Sequence, residues 1–428
     1  MHLLYILLIL LLVTRIFGEL AVRLKQPALV GELTSGILLG IVIRQWPSAI
    51  PFLAELGENE IFQALTDLGV FFLMLLAGLE MRPKDIVEAS ARSIVIAVSG
   101  LLLPLTAGFA LAWWFLPDSS VKIAQAAFVG TALAITAVPV AVRVLMDLGQ
   151  LDTRAGRIIV SAAVFDDVLS LVILAVLVAL INTGELPDTA GMLQLFLGVV
   201  VFFVVTVTVG VYLLPRLAPL IDRLRSDEFD FTLLLIVGFA FAVLAERLGL
   251  HFILGAFMAG LFFMRRTVDE GTYSSVRERV SGVTSGFLGP LFFASIGLHL
   301  QVDAVGTAPL FLGLLIAAAF ATKLLGAGVP AYLSGMPGRA SLAVGMAMSS
   351  RGAVELIIAD VALEAGLFER PEPTPGIVDA LFSSVVIVAI VTTLLVPICL
   401  RFIVPEERQA VPPEVEEEVE EELEEGMS

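Results

Sequence analysis

The chain has 428 residues, 58% of them hydrophobic and only 16% charged, a balance that excludes a soluble fold and specifies an integral membrane protein with many spans. Its formal net charge of −17 is misleading, because Pro405 to Ser428 carries eleven Glu against one Arg and the membrane body alone is near −7. The single cysteine, Cys399, excludes an intramolecular disulfide or a cysteine metal cluster, and His2, His251 and His299 lack metal-ligand spacing to one another.

Apolar windows of about twenty residues, bounded by charges or by Pro/Gly turns, predict thirteen spans. They run over 2–20, 27–44, 61–81, 93–116, 123–147, 155–181, 191–219, 229–248, 250–264, 280–302, 307–333, 340–365 and 376–404, the ninth being short. The first window lacks a basic leader region and a small-residue cleavage site, so it reads as a retained helix. Beyond the last, 405–428 has the composition of a solvated acidic tail.

Basic residues set the expected orientation. One set of alternating connections and span ends holds nineteen Lys and Arg, while the other holds only Arg44, Lys122, Arg247 and Arg370. The positive-inside rule then puts the N-terminus outside and the acidic tail in the cytoplasm. Lys323 and Arg351 alone sit deep inside spans, which makes them functional candidates.

An internal repeat accompanies this pattern. Arg23 to Gly36 aligns with Arg247 to Gly260, sharing Arg-Leu and two glycines, and Phe71 to Met81 resembles Phe292 to Leu300, with Gly78-Leu79 answering Gly297-Leu298. Span 2 thus matches span 9 and span 3 matches span 10. A shift of seven spans makes matched helices cross in opposite directions, the inverted-repeat architecture of secondary transporters. Spans 1–6 and 8–13 form the halves, with span 7 as linker. The expected fold is therefore an all-α membrane protein of about thirteen helices in two inverted repeats with broken, crossing helices.

The register pairs span 5 with span 12, and each is anomalous at its middle. Span 5 contains Gly130-Thr-Ala-Leu-Ala-Ile-Thr-Ala-Val-Pro139, where Pro139 removes a backbone donor and disfavours helix at Val138. Thr131 and Thr136 read either as site-lining groups or as hydroxyls that satisfy the kink. Span 12 contains Ser349, Ser350, Arg351 and Glu355; the last two, four apart on one face, are suited to neutralise helix dipoles or each other. Broken helices at matching positions of two repeats point to a substrate site.

Span 6 carries adjacent carboxylates, Asp166 and Asp167, and span 11 carries Lys323 as the obvious counter-charge. Each charge at the centre of a membrane helix costs about 2.5–3.5 kcal/mol on insertion scales, so such a constellation asks for cations or protons. Neighbouring helical residues point about 100° apart, which lets one aspartate meet Lys323 while the other faces an ion. An intramembrane aspartyl protease also uses two membrane aspartates, but from separate helices. A structural ion pair, or an ion-gated channel or sensor on the same scaffold, is the other alternative.

Together, the Asp-Asp pair, the span 11 lysine, the Thr-Ala-Val-Pro break and the Ser-Arg-Gly segment resemble the monovalent cation/proton antiporter superfamily, in particular bacterial sodium/proton antiporters with thirteen helices. The resemblance implies a transporter, not an enzyme, that exchanges Na⁺ (or Li⁺) for H⁺ without a cofactor or nucleic acid, with K⁺/H⁺ exchange as the alternative. It implies a homodimer in the inner membrane, with dimerisation-type helices in 1–92 and 229–306, core transport helices in 93–185 and 307–404, and a linker in 186–228. Asp167 becomes the principal cation ligand and Asp166 the partner of Lys323, in an electrogenic cycle of two protons per cation. Many relatives carry Arg-Gly-Glu; here Ala353 takes the place of that acid and the carboxylate lies at Glu355.

Overall fold

The computed structural model describes residues 2–24, 26–45, 60–80, 91–136, 154–183, 189–216, 229–263, 270–300 and 304–403. In hydrocarbon every backbone N–H and C=O must be satisfied within the protein, and helices do this segment by segment. The described elements are accordingly helical: α1 (His2–Arg23), α2 (Ala28–Gln45), α3 (Glu60–Glu80), α4 (Ala91–Phe115), α5 (Lys122–Ala134), α6 (Arg154–Thr183) and α7 (Thr189–Thr208, continued by a π turn at Val209–Leu213). After them come α8 (Phe229–Arg247), α9 (Phe252–Phe262), α10 (Glu270–Val283, a π turn at Thr284–Leu288, then Gly289–His299) and α11 (Pro309–Lys323, a π turn at Leu324–Gly328, then Val329–Leu333). Two half-length helices, α12 (Gly338–Ala347) and α13 (Ala353–Glu364), precede the long α14 (Gly376–Ile403). Among the described residues, eight helices are long and apolar enough to cross a membrane, and three shorter apolar ones accompany them.

Packing sorts the helices into two groups. In the first, α2 lies against α1 and α10, and α9 lies against α3 and α8. In the second, α4 packs on α5, α6 and α11, while α12 and α13 pack on α6 and α14. The long linker helix α7 touches α6, α8 and α9, and α2 meets α14 where the groups adjoin.

The glycines matched in the sequence repeat occupy equivalent crossings. A Cβ on Gly31 of α2 would run into the Phe17 backbone of α1, and one on Gly255 of α9 into the Ala242 backbone of α8. Gly36 of α2 similarly faces the Ala294 carbonyl of α10, as Gly260 of α9 faces the Leu75 carbonyl of α3. Gly78 and Gly297 abut the same two crossings from the other side, against Phe257 and Leu33. Close backbone approach through small residues is how helices associate where lipid offers no hydrophobic drive. The second group repeats the device, with Gly108 against Gly130 between α4 and α5, and Gly328 against Gly345 between α11 and α12.

One expectation needs adjustment. Span 10 begins at Glu270 rather than at 280. Its first turns, rich in Ser, Thr, Arg and Glu, fall below any apolar window, yet Val276 and Val280 are buried and the Tyr273 hydroxyl donates to the Leu79 carbonyl at 2.5 Å. An amphipathic extension therefore docks on the end of α3, where Arg277 also pairs with Glu80 at 3.0 Å. Span 12, as its mid-span Ser349, Ser350 and Arg351 lead one to expect, is interrupted over 348–352, so that α12 and α13 are separate half-helices.

Overpacking a tight crossing destabilises by about 1–3 kcal/mol. Gly36→Ala and Gly260→Ala should each lower the thermal unfolding midpoint of the purified protein, whereas Gly313→Ala, at a helical position with open space around it, should not. Equal effects at all three positions would remove close approach as the explanation.

Candidate functional site

Three chain interruptions converge on one buried volume. Helix α5 stops at Ala134, and Ile135 turns extended with φ −71° and ψ 144°. On the opposite side α12 stops at Ala347, and the chain passes through an extended Gly352 before α13 begins. Between them, α11 reaches Lys323 and widens into its π turn. That turn lies on α4, where the Ser99 hydroxyl donates to the Gly326 carbonyl at 2.5 Å. A π turn inserts a residue and re-aims the side chains on either side, and such turns recur at functional sites.

Lys323 is wholly buried, as is Asp166 of α6, and the ammonium stands 3.6 Å from Asp166 Oδ2. It also donates to Thr136 Oγ1 at 2.8 Å, and the Thr136 hydroxyl donates in turn to the Met348 carbonyl at 3.1 Å. One continuous chain thus joins α6, α11, the end of α5 and the end of α12. Neither Asp166 oxygen makes a well-formed hydrogen bond among the described residues, although Lys323 and Thr136 stand beside the carboxylate. Asp167 follows Asp166 on the same helix, but its side chain lies outside the described residues, as does all of Pro139.

The second charged pair secures the helix ends. Arg351, 1% exposed, sends one guanidinium nitrogen to the Ala132 carbonyl and to Glu355 Oε1 at 3.2 Å, and the other to the Leu133 carbonyl at 2.7 Å. The last carbonyls of an α-helix have no intrahelical donor and carry its partial negative charge, so a cation placed there supplies both missing hydrogen bonds and charge compensation. Glu355, in the first turn of α13, is well placed for that helix's positive end and balances the guanidinium. Asp166 thus stands opposite Lys323, and Arg351 opposite Glu355.

The remaining sequence candidates take local roles. Ser349 and Ser350 turn back to the Gly345 and Ala347 carbonyls at 2.8 and 2.7 Å, satisfying the end of α12. Thr131 is buried, and its carbonyl accepts the Ile135 amide at 3.3 Å as α5 ends. Two contributors escaped the sequence reading. Thr393 of α14 donates to the Arg351 carbonyl at 2.8 Å, and Gln125 of α5 donates to the Leu367 and Arg370 carbonyls at 2.9 and 2.7 Å. Neither carries a charge, and a Thr or Gln in an apolar helix has no spacing signal to mark it.

Truncating one member of a buried ion pair costs about 3–5 kcal/mol, because the other charge is left unpaired. Arg351→Leu should therefore unfold far more readily than the wild type in thermal scans, and adding Glu355→Leu should recover part of the loss. A double variant no more stable than the single one would exclude the orphaned carboxylate as the cause.

Comparisons with known proteins bear on the family and the fold. A family model described as "Sodium/hydrogen exchanger, transmembrane" matches residues 7–405. The Na⁺/H⁺-K⁺ antiporter GerN of Bacillus cereus is 31% identical over 92% of this chain and 94% of its own. The Na⁺/H⁺ antiporter of Enterococcus hirae is 28% identical over 93% and 97%, respectively. Among solved structures, the sodium proton antiporter MjNhaP1 of Methanocaldococcus jannaschii superposes with a TM-score of 0.68 at 18% identity, covering 94% of this chain and 97% of its own, a likeness that establishes the fold. The chain belongs to the sodium/hydrogen exchanger family, multi-pass membrane secondary transporters that exchange Na⁺ or K⁺ for protons.

Proposed function

We propose that the chain exchanges Na⁺, or Li⁺, for H⁺ in an electrogenic cycle, with Asp167 as the principal cation ligand and the Asp166–Lys323 pair as the second proton-linked element. The observation that carries this reading is the buried Asp166–Lys323 contact of 3.6 Å at the meeting of two interrupted helices, on the helix that also bears Asp167. A carboxylate there is neutralised either by a proton or by a cation, so the two compete for one place. The group containing the site then never has to cross the apolar barrier with a bare carboxylate.

The two packing groups suit an elevator-like motion. Helices α4–α6 and α11–α14 would carry the ion, and α1–α3 with α8–α10 would form the static, homodimerising part, leaving α7 as linker. The N-terminus is placed outside and the acidic 405–428 tail in the cytoplasm of an inner-membrane protein, from the asymmetry of basic residues. K⁺/H⁺ exchange is the second reading, favoured by the name of the GerN relative, since carboxylates and carbonyls serve either ion.

Proteoliposomes with an internal pH dye and imposed Na⁺, Li⁺ or K⁺ gradients test the proposal. Protons should move against Na⁺; a cation gradient that never moves protons would leave a channel or sensor. Asp167→Asn should abolish exchange in a folded protein, because the main anionic ligand is gone while a buried amide costs less than a buried carboxylate. Asp166→Asn should be less severe, and equal severity would defeat the division of labour between the two.

Charge movement gives a separate check. Two protons per Na⁺ couple exchange to the membrane potential at about 2.3 kcal/mol per charge per 100 mV. Lys323→Gln should remove one titrating group and leave slower, voltage-insensitive exchange of one proton per Na⁺. On a solid-supported membrane, wild-type flux without current would refute the electrogenic reading, and a variant retaining both would make Lys323 structural.

A further inference from the structure

The interruption between α12 and α13 exposes backbone carbonyls in the middle of the protein, and two of them are held by threonine hydroxyls from other helices. Met348 C=O accepts from Thr136 at 3.1 Å, and Arg351 C=O accepts from Thr393 at 2.8 Å. Within a regular helix these oxygens would be held by main-chain N–H groups fixed in direction. A hydroxyl is different: it has one proton on a rotating bond and two lone pairs, so it can withdraw that proton and present oxygen instead.

We propose, resting on the antiport reading, that the Met348 carbonyl oxygen is a ligand of the transported monovalent cation, uncovered when the Thr136 hydroxyl turns away. Three observations carry it. Met348 closes the C-terminal end of α12, where the half-helix dipole is negative. Thr136 is the one hydrogen-bond donor to this oxygen among the described residues, and it also accepts from Lys323, so the ammonium holds the hydroxyl in the orientation that covers Met348. Asp166 is fully buried at 3.6 Å from the same ammonium, with Thr136 also beside its carboxylate and neither oxygen in a well-formed hydrogen bond.

The Lys323 ammonium thus stands between a carboxylate and a hydroxyl-capped carbonyl, a position in which a partly dehydrated monovalent cation would find hard oxygen ligands from both. When a cation replaces it, the Thr136 proton has no further call to point at Met348, and the carbonyl dipole faces the ion. Among the described residues, the other charged groups near this point are Arg351 of the interruption and Glu355 of α13, the guanidinium being already occupied by the carbonyls of α5. The matching carbonyl of Arg351 is capped from α14 by Thr393 and stays closed.

Residue-pair labelling reads this oxygen directly. The sequence has eleven methionines, and only Met348-Ser349 and Met427-Ser428 are Met-Ser bonds, so protein with carbonyl-¹³C methionine and ¹⁵N serine gives two cross-peaks in solid-state NMR. In lipid bilayers, added Na⁺ should move the Met348 peak and leave the Met427 peak still, with half-saturation matching the transport KM; N-methylglucamine should move neither. In Thr136→Val the Na⁺-dependent shift should persist, because the carbonyl itself is the ligand. A shift that disappears with the hydroxyl would mean that the peak reports only threonine rotation, and would overturn the proposal. Exchange in parallel proteoliposomes with a stationary Met348 peak would overturn this inference while sparing the antiport reading. Absent exchange with every cation would overturn both.

Discussion

A helix interrupted inside a bilayer persists only when something replaces the backbone hydrogen bonds that the interruption removes, and here that task falls chiefly to Arg351. Its guanidinium reaches across to the Ala132 and Leu133 carbonyls that α5 leaves bare, while its own backbone carbonyl is held by Thr393. One side chain thereby ties the end of a helix from the first half of the chain to the interruption in the second. The fixed planar fork of arginine matches two adjacent carbonyls, which a lysine ammonium cannot do with the same geometry. Glu355 makes the arrangement tolerable by leaving no unbalanced charge.

That anchoring determines what the neighbouring residues can do. With α5 stopped at Ala134, Thr136 is presented by extended backbone, and its hydroxyl lies between Lys323 and Met348. The π turn after Lys323 contributes from the other side, seated against Ser99 and Gly100 of α4. Rigid glycine-lined crossings hold these helices at close range, so a small displacement of the ammonium alters several hydrogen bonds together.

The first group of helices has a different character. Its buried polar groups are few, and α2, α3, α9 and α10 meet through Gly36, Gly78, Gly260 and Gly297 against backbone atoms. The same crossing occurs twice, related by the reversal of chain direction that the internal repeat implies.

Hydropathy alone determined the class and, among the described residues, most of the span limits, because an apolar window of fixed length is imposed by bilayer thickness and needs no knowledge of neighbours. The repeat was legible for a similar reason: glycines at tight crossings admit no substitute, so they stay in register. The charged candidates stood out since each is costly in hydrocarbon and must have a purpose. Tertiary structure alone decided which carbonyls Arg351 and Thr136 reach, the roles of Thr393 and Gln125, the inward turn of Ser349 and Ser350, and the docking of the polar start of α10. All of these depend on which carbonyl or carboxylate a distant segment brings within about 3 Å, and hydrogen bonding at that range is a property of the packed helices and not of any one of them.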